Sequence, residues 1–112
     1  MEEIVVIITA SNEDEAVRIS KTLLEEKLVA CVNIHPKVRS LYWSTGSFGW
    51  EGKIQDEGEA MMIIKTRRGL FGDIVKKVKE IHSYTVPEII ALPIIEGSED
   101  YLRWVQEVTK RD

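Results

Sequence analysis

The feature that most constrains this chain is a hydrophobic period that changes twice within its first 35 residues. Ile4 to Thr9 is an unbroken apolar run rich in β-branched residues, the pattern of a strand buried on both faces. Ser11 and Asn12 follow as N-cap candidates, and Asn12 with Glu15 has capping-box spacing. Ala16, Ile19 and Leu23 then recur at helical intervals, with Val17 and Leu24 widening the stripe, so residues 13–27 are expected to form an amphipathic helix. From Leu28 the period returns to two. Leu28, Ala30, Val32 and Ile34 alternate with Val29, Cys31, Asn33 and His35, which is strand periodicity.

The same alternation organises the rest of the chain. Val38 to Trp43 is strand-like and leads into the turn-forming STGSFG. A return strand is expected from about Trp50 to Thr66, interrupted by the acidic QDEGE, so that the two strands form a long hairpin. After Gly69, the apolar stripe Leu70, Phe71, Ile74, Val78 and Ile81 predicts a second helix, whose Lys76, Lys77, Lys79 and Glu80 face water. In HSYTVPEIIALPII, Pro87 and Pro93 exclude a helix and point to an edge or bulged strand. Ser98 is placed to cap a final helix with Tyr101, Trp104, Val105 and Val108 inward. The order is βαββαβ plus a C-terminal helix, an α+β ferredoxin-like sandwich with an antiparallel sheet, formed as one domain over 1–112.

Composition narrows the function classes. The 112 residues carry 30% charged side chains and a formal net charge of -4, with no basic block, which argues against nucleic acid or an anionic membrane as partner. The single cysteine cannot close an intrachain disulfide. MEEIVVIITAS has acidic residues where a signal peptide would be basic, and its apolar run is too short to span a bilayer. The expectation is a cytoplasmic protein.

In such a sandwich, helices cover one face of the sheet and the other should be polar if it meets water. Here Ala60, Met62 and Ile64 suit the helix side, yet Met61 and Ile63 opposite them are apolar, as are Val29 and Cys31 in the preceding strand and most of IIALPII. An exposed face of this kind would be a large hydrophobic patch. Burial by other copies of the chain is therefore expected.

LVACVNI after the first helix, WEGKI, IIKT, HSYTVPEI and the final DYLRWV together resemble the CutA divalent-cation tolerance family, in order and over nearly the whole chain. The resemblance implies a ferredoxin-like fold, a homotrimer packed through its sheets, a cytoplasmic location and a link to copper and other divalent metals. The sequence departs from the family pattern twice. Ser44 to Gly49 lengthens the hairpin tip between Tyr42-Trp43 and Trp50-Glu51-Gly52-Lys53, and His82-Ser83-Tyr84 stands where the family often has His-Pro-Tyr.

Candidate site residues divide into two groups. Cys31 and His35 are on one strand face about 13 Å apart at roughly 3.3 Å per residue, too far for one ion. Cys31 is then either a small hydrophobe in a subunit interface or a thiolate ligand meeting another strand or subunit. His82 is either a copper ligand, with Tyr84 and Glu88 near it in sequence, or a helix C-terminal imidazole serving the helix dipole. The second group is Glu51, Lys53, Glu59, Lys65, Tyr84 and Glu88, which form either surface ion pairs or a small-ligand cleft between subunits. Trp43, Phe48 and Trp50 around the hairpin tip suggest interface anchors.

No Gly-rich phosphate loop, serine nucleophile elbow or clustered His and Cys set occurs. The expectation is a non-enzymatic trimer with no required cofactor, binding copper or another divalent cation weakly. The alternative is a trimeric signal transducer holding a small effector in intersubunit clefts and acting on a partner protein.

Overall fold

The structure is a computed structural model and describes residues 2–44 and 52–111. Its elements run β1 (Glu3–Ala10), α1 (Glu13–Glu25), β2 (Cys31–Trp43), β3 (Ile54–Arg67), a 3₁₀ turn (Arg68–Leu70), α2 (Phe71–Ile81), β4 (Ile89–Pro93) and α3 (Glu99–Val108). The strands form one antiparallel sheet in the order β2-β3-β1-β4. This is the expected α+β sandwich.

The core lies between the sheet and α1 with α2. Ile4, Val6, Ile8 and Ala10 of β1 and Ala60, Met62 and Ile64 of β3 meet Ala16, Ile19 and Leu23 of α1 and Ile74 and Val78 of α2. Burying each of the valine, isoleucine, leucine and methionine side chains among them contributes about 1.5–3 kcal/mol. Asn12 caps α1 by accepting the Glu15 N–H at its Oδ1, 2.9 Å away. The reciprocal half of the box reaches one residue further back than usual, because Glu15 accepts from Ser11 instead of Asn12.

Three local expectations need correction. The second strand begins at Cys31, and Val29, placed on the outer face by alternation, is only 2% exposed and belongs to the helix-side core. The chain enters β2 through a loop, so strand alternation does not yet apply at Val29. The acidic QDEGE does not interrupt β3, which is continuous from Ile54 to Arg67. Its carboxylates find cross-strand or loop partners: Asp56 pairs with Arg39, Glu57 accepts from Tyr42, and Glu59 accepts from Tyr84. Likewise β2 runs through Pro36 by means of a register shift between His35 and Val38, the usual way an edge strand accommodates proline. Third, Ser98 occupies the N-cap position of α3 but its hydroxyl makes no capping bond.

The turn that closes α1 passes through Lys27, whose φ of 58° is left-handed. There its N–H bonds to Leu24 O and that of Leu28 to Leu23 O, a closure normally made by glycine. Lys27→Gly is expected to raise the denaturation midpoint, the left-handed strain of a side-chain-bearing residue being about 1 kcal/mol. Chemical unfolding at fixed protein concentration measures it.

The second face of the sheet is partly covered by α3. Val105 is fully buried, Arg67 donates to Thr109 Oγ1 and to the Lys110 carbonyl, and Gln106 bonds Glu3. Tyr101 and Trp104, expected inward, remain about 40% exposed and lie against each other with ring centroids 5.5 Å apart. Beyond α3 the face is apolar and open. Cross-strand register places Val5, Ile7, Met61, Ile63, Ile90 and Leu92 together on it, and Ile63, Ile90 and Leu92 are 37%, 48% and 47% exposed.

Candidate functional site

At the rim of that open face, near the C-terminal end of β1, the segment after α2 crosses the sheet. What fixes this crossing is Glu15, whose side chain is 5% exposed. Its carboxylate accepts the Ser11 N–H at 2.9 Å and hydroxyl at 2.8 Å, and the Ser83 N–H at 2.7 Å and hydroxyl at 2.9 Å. Arg18 adds a contact at 3.4 Å. Burial pushes the carboxyl upward, but the donors of Ser11 and Ser83 outweigh it and bring its pKa down to about 2. One carboxylate thus ties the β1–α1 turn to the loop 68 residues later in the chain.

His82 sits beside this knot with its side chain wholly buried. Nε2 lies 2.8 Å from the Thr9 carbonyl, and Nδ1 lies 2.9 Å from the Tyr84 amide. A carbonyl only accepts and an amide N–H only donates, so Nε2 carries the proton and Nδ1 is bare. Both ring nitrogens are therefore engaged.

That arrangement bears on the metal reading of His82. Copper could reach the ring only by displacing a backbone partner from a buried nitrogen. Cys31 is not near it. Register puts Cys31 opposite Lys65 and Thr9 opposite Met61, four residues or about 13 Å apart along β3 at roughly 3.3 Å per residue. Around Cys31 stand Asn33, whose Oδ1 is 3.8 Å from Sγ and also takes Lys65 Nζ, and the Tyr101 hydroxyl. Burial, followed by the neighbouring thiol, raises the Tyr101 phenol. No group of three or more His, Cys, Asp and Glu side chains able to hold a metal occurs among the described residues. His82 and Cys31 do not combine into a metal centre within one chain.

The cleft residues fare differently. Glu59, Tyr84 and Glu88 do come together, with Thr9, Arg39 and Tyr42, around a cavity of about 630 Å³. Tyr84 donates its hydroxyl to Glu59 Oε2 at 2.7 Å, and Tyr42 donates to Glu57 Oε1 at 2.5 Å. Burial and then the bond to Glu59 push the Tyr84 phenol well up, and the bond to Glu57 raises that of Tyr42. Arg39 makes a two-pronged pair with Asp56 at 2.9 and 2.7 Å. Lys53 lies at the far end of the hairpin, its carbonyl accepting from Ser44, while Lys65 lies beside Asn33 at the opposite end. Neither lines the cleft. Glu51, Phe48, Trp50 and the extended tip after Ser44 lie outside the described residues.

Sequence reasoning missed Glu15, Thr9, Arg39 and Tyr42. Glu15 carried a signal, its capping-box position, but that spacing points to a local role. Tyr42 and Arg39 became legible only once register set them beside Glu57 and Asp56.

The model of the CutA1 divalent ion tolerance protein family matches residues 4–108. The divalent-cation tolerance protein CutA of Thermus thermophilus is 45% identical over 109 residues, covering 97% of this chain and 99% of that one. The chloroplastic protein CutA 1 of Oryza sativa subsp. japonica is 44% identical over 107 residues, covering 96% of this chain. The chain spans only 57% of that rice protein's length. The crystal structure of CutA1 from Oryza sativa superimposes with a TM-score of 0.91 at 42% identity, covering 100% of this chain and 97% of that one. On fold, order of motifs and extent of match, the chain belongs to the CutA1 divalent ion tolerance family.

Proposed function

We propose that this protein is a non-enzymatic homotrimer that contributes to tolerance of divalent metal ions and binds copper weakly. The observation that carries the assembly is the open second face of the sheet, where six apolar side chains from β1, β3 and β4 share one surface. Water-facing patches of that kind are rare in soluble monomers. The role in ion tolerance is supported by the names of relatives at about 45% identity, divalent-cation tolerance proteins. Weak binding follows from the chemistry of the donors. Imidazole suits copper, but His82 spends both nitrogens on the backbone, and the free thiol of Cys31 stands apart from it.

Titration of the purified protein with Cu(II), followed by calorimetry, tests the reading. Wild type is expected to saturate at a simple ratio of ions per trimer, and His82→Asn to match it. Cys31→Ser distinguishes a thiolate contribution by a weakened affinity. Absence of saturable binding in the wild type would remove copper from the proposal, and its loss in His82→Asn would show the imidazole to be a ligand after all.

A second reading is favoured by the cleft itself. A cavity of about 630 Å³ with carboxylates, phenols and a guanidinium at its wall has the size range and mixed lining of small-molecule sites. It opens at the border of the surface assigned to neighbouring copies. A small effector held there would make the trimer a signal transducer. Binding lost in Glu59→Gln with copper affinity unchanged would separate this role from ion tolerance.

A further inference from the structure

We infer that the ligand of the cleft is an aliphatic diamine, which rests on the small-effector role proposed for that cavity. The cleft lies where β1 runs out. β1 ends at Ala10, opposite Ala60 of β3, and its pairing with β4 ends at Ile8, opposite Ile89. Glu59 on β3 and Glu88 just ahead of β4 therefore stand on either side of a gap about two strand spacings wide, roughly 10 Å. Both line the cavity of about 630 Å³.

Glu59 is the residue that asks for a partner. It is only 9% exposed. Tyr84, on the cleft wall, donates to Oε2 at 2.7 Å, while Oε1 accepts no hydrogen bond among the described residues. No fully enclosed side-chain oxygen among those residues lacks a partner, so Oε1 still meets solvent. A carboxylate so nearly buried, with one oxygen unpaired, gains more from an incoming charged donor than a surface carboxylate does. Tyr84 can keep Oε2 while a ligand takes Oε1.

The charge of the ligand follows from the rest of the wall. Arg39 is the cation there, and its fork is spent on Asp56 at 2.9 and 2.7 Å. An acidic effector would find no free positive partner on this wall. Burial and the Glu59 carboxylate push the Tyr84 phenol up, and Glu57 raises that of Tyr42. Both therefore stay neutral rings, whose faces attract organic cations. A hard metal ion needs several oxygen ligands at once, and no group of three such side chains occurs among the described residues. An ammonium is satisfied by one carboxylate and a few hydroxyls. Leu41 and Val86, 62% and 85% exposed on the same wall, offer apolar surface to the methylenes between two ammonium groups.

The test uses three five-carbon probes of equal length, cadaverine, the matching diol and glutarate. Each is titrated into the intact protein at constant ionic strength, with backbone amide shifts read by NMR. Cadaverine is expected to move the amides of Tyr42, Tyr84 and Glu88 saturably, and the other two probes to leave them still. Glu59→Gln should weaken cadaverine by at least about tenfold, the loss of one charged hydrogen bond, and the exposed Glu88→Gln by a smaller factor. Should Glu59→Gln not fold, Glu88→Gln and the three probes on wild type decide. Glutarate or the diol binding there as tightly as cadaverine would overturn the diamine while leaving the cleft a small-effector site. Magnesium chloride reproducing the same shifts would overturn it too, reducing the effect to bulk charge attraction. Silence from all three probes overturns the diamine and, with it, the support this cavity lends to the effector role.

Discussion

Ile63→Glu is expected to convert the homotrimer proposed above, with about three times the 12.8 kDa mass of the chain, into a monomer. Ile63 lies on a central strand between Ile7 of β1 and Asn33 of β2, on the open face. At 37% exposure in the single chain, its side chain can carry a charged group into water without disturbing the helix-side core. Between subunits the same carboxylate would be desolvated without a partner, at a cost of several kcal/mol per copy. Three copies multiply that cost. Ile63→Val, which keeps shape and polarity, should leave the mass unchanged. Light scattering behind a sizing column reads the result. A trimer that survives Ile63→Glu would show that this face is not where the copies meet.

Glu15→Ala is expected to cost several kcal/mol of stability. The carboxylate serves four donors on Ser11 and Ser83, and its removal leaves two part-buried backbone N–H groups unpaired. Each such loss costs about 1–3 kcal/mol. The acid limb of the stability curve gives a separate check. Because the folded pKa is depressed from 4.5 to about 2, the contribution is complete above pH 4.5 and disappears as pH falls toward 2. It is worth about 3 kcal/mol on linkage grounds. Glu15→Gln should flatten that part of the curve. An unchanged acid limb in Glu15→Gln would mean that other carboxylates govern acid unfolding.

How much was legible in the sequence depends on the range of the interaction involved. The α1 stripe, the alternation of Met61 to Ile64 and the proline-bounded edge strand are short-range patterns, and all reappear in the structure. Val29 was misassigned because alternation gives no sign of where a strand begins. QDEGE read as a break because its charges lack partners in sequence, and they acquire Arg39, Tyr42 and Tyr84 only through pairing. For His82 the type of residue and its place after a helix were visible. Its meaning was not, since that depends on a carbonyl 73 residues earlier in the chain. Of the proposed cleft residues, Glu59, Tyr84 and Glu88 share a cavity. Lys53 and Lys65 do not, because Lys53 precedes the start of the long strand β3 and Lys65 stands near its end.

Among the described residues, the sheet order leaves β2, 13 residues long, with one edge unpaired within the chain. An extended edge is a template for any other strand, and here it adjoins an apolar surface. In the homotrimer proposed above, a newly made chain would pass through a sticky interval until it meets its own kind. Dilution should lengthen that interval and lower the midpoint of thermal unfolding, since assembly stabilises by mass action. On that proposal, abundance in the cell is part of what keeps this protein folded.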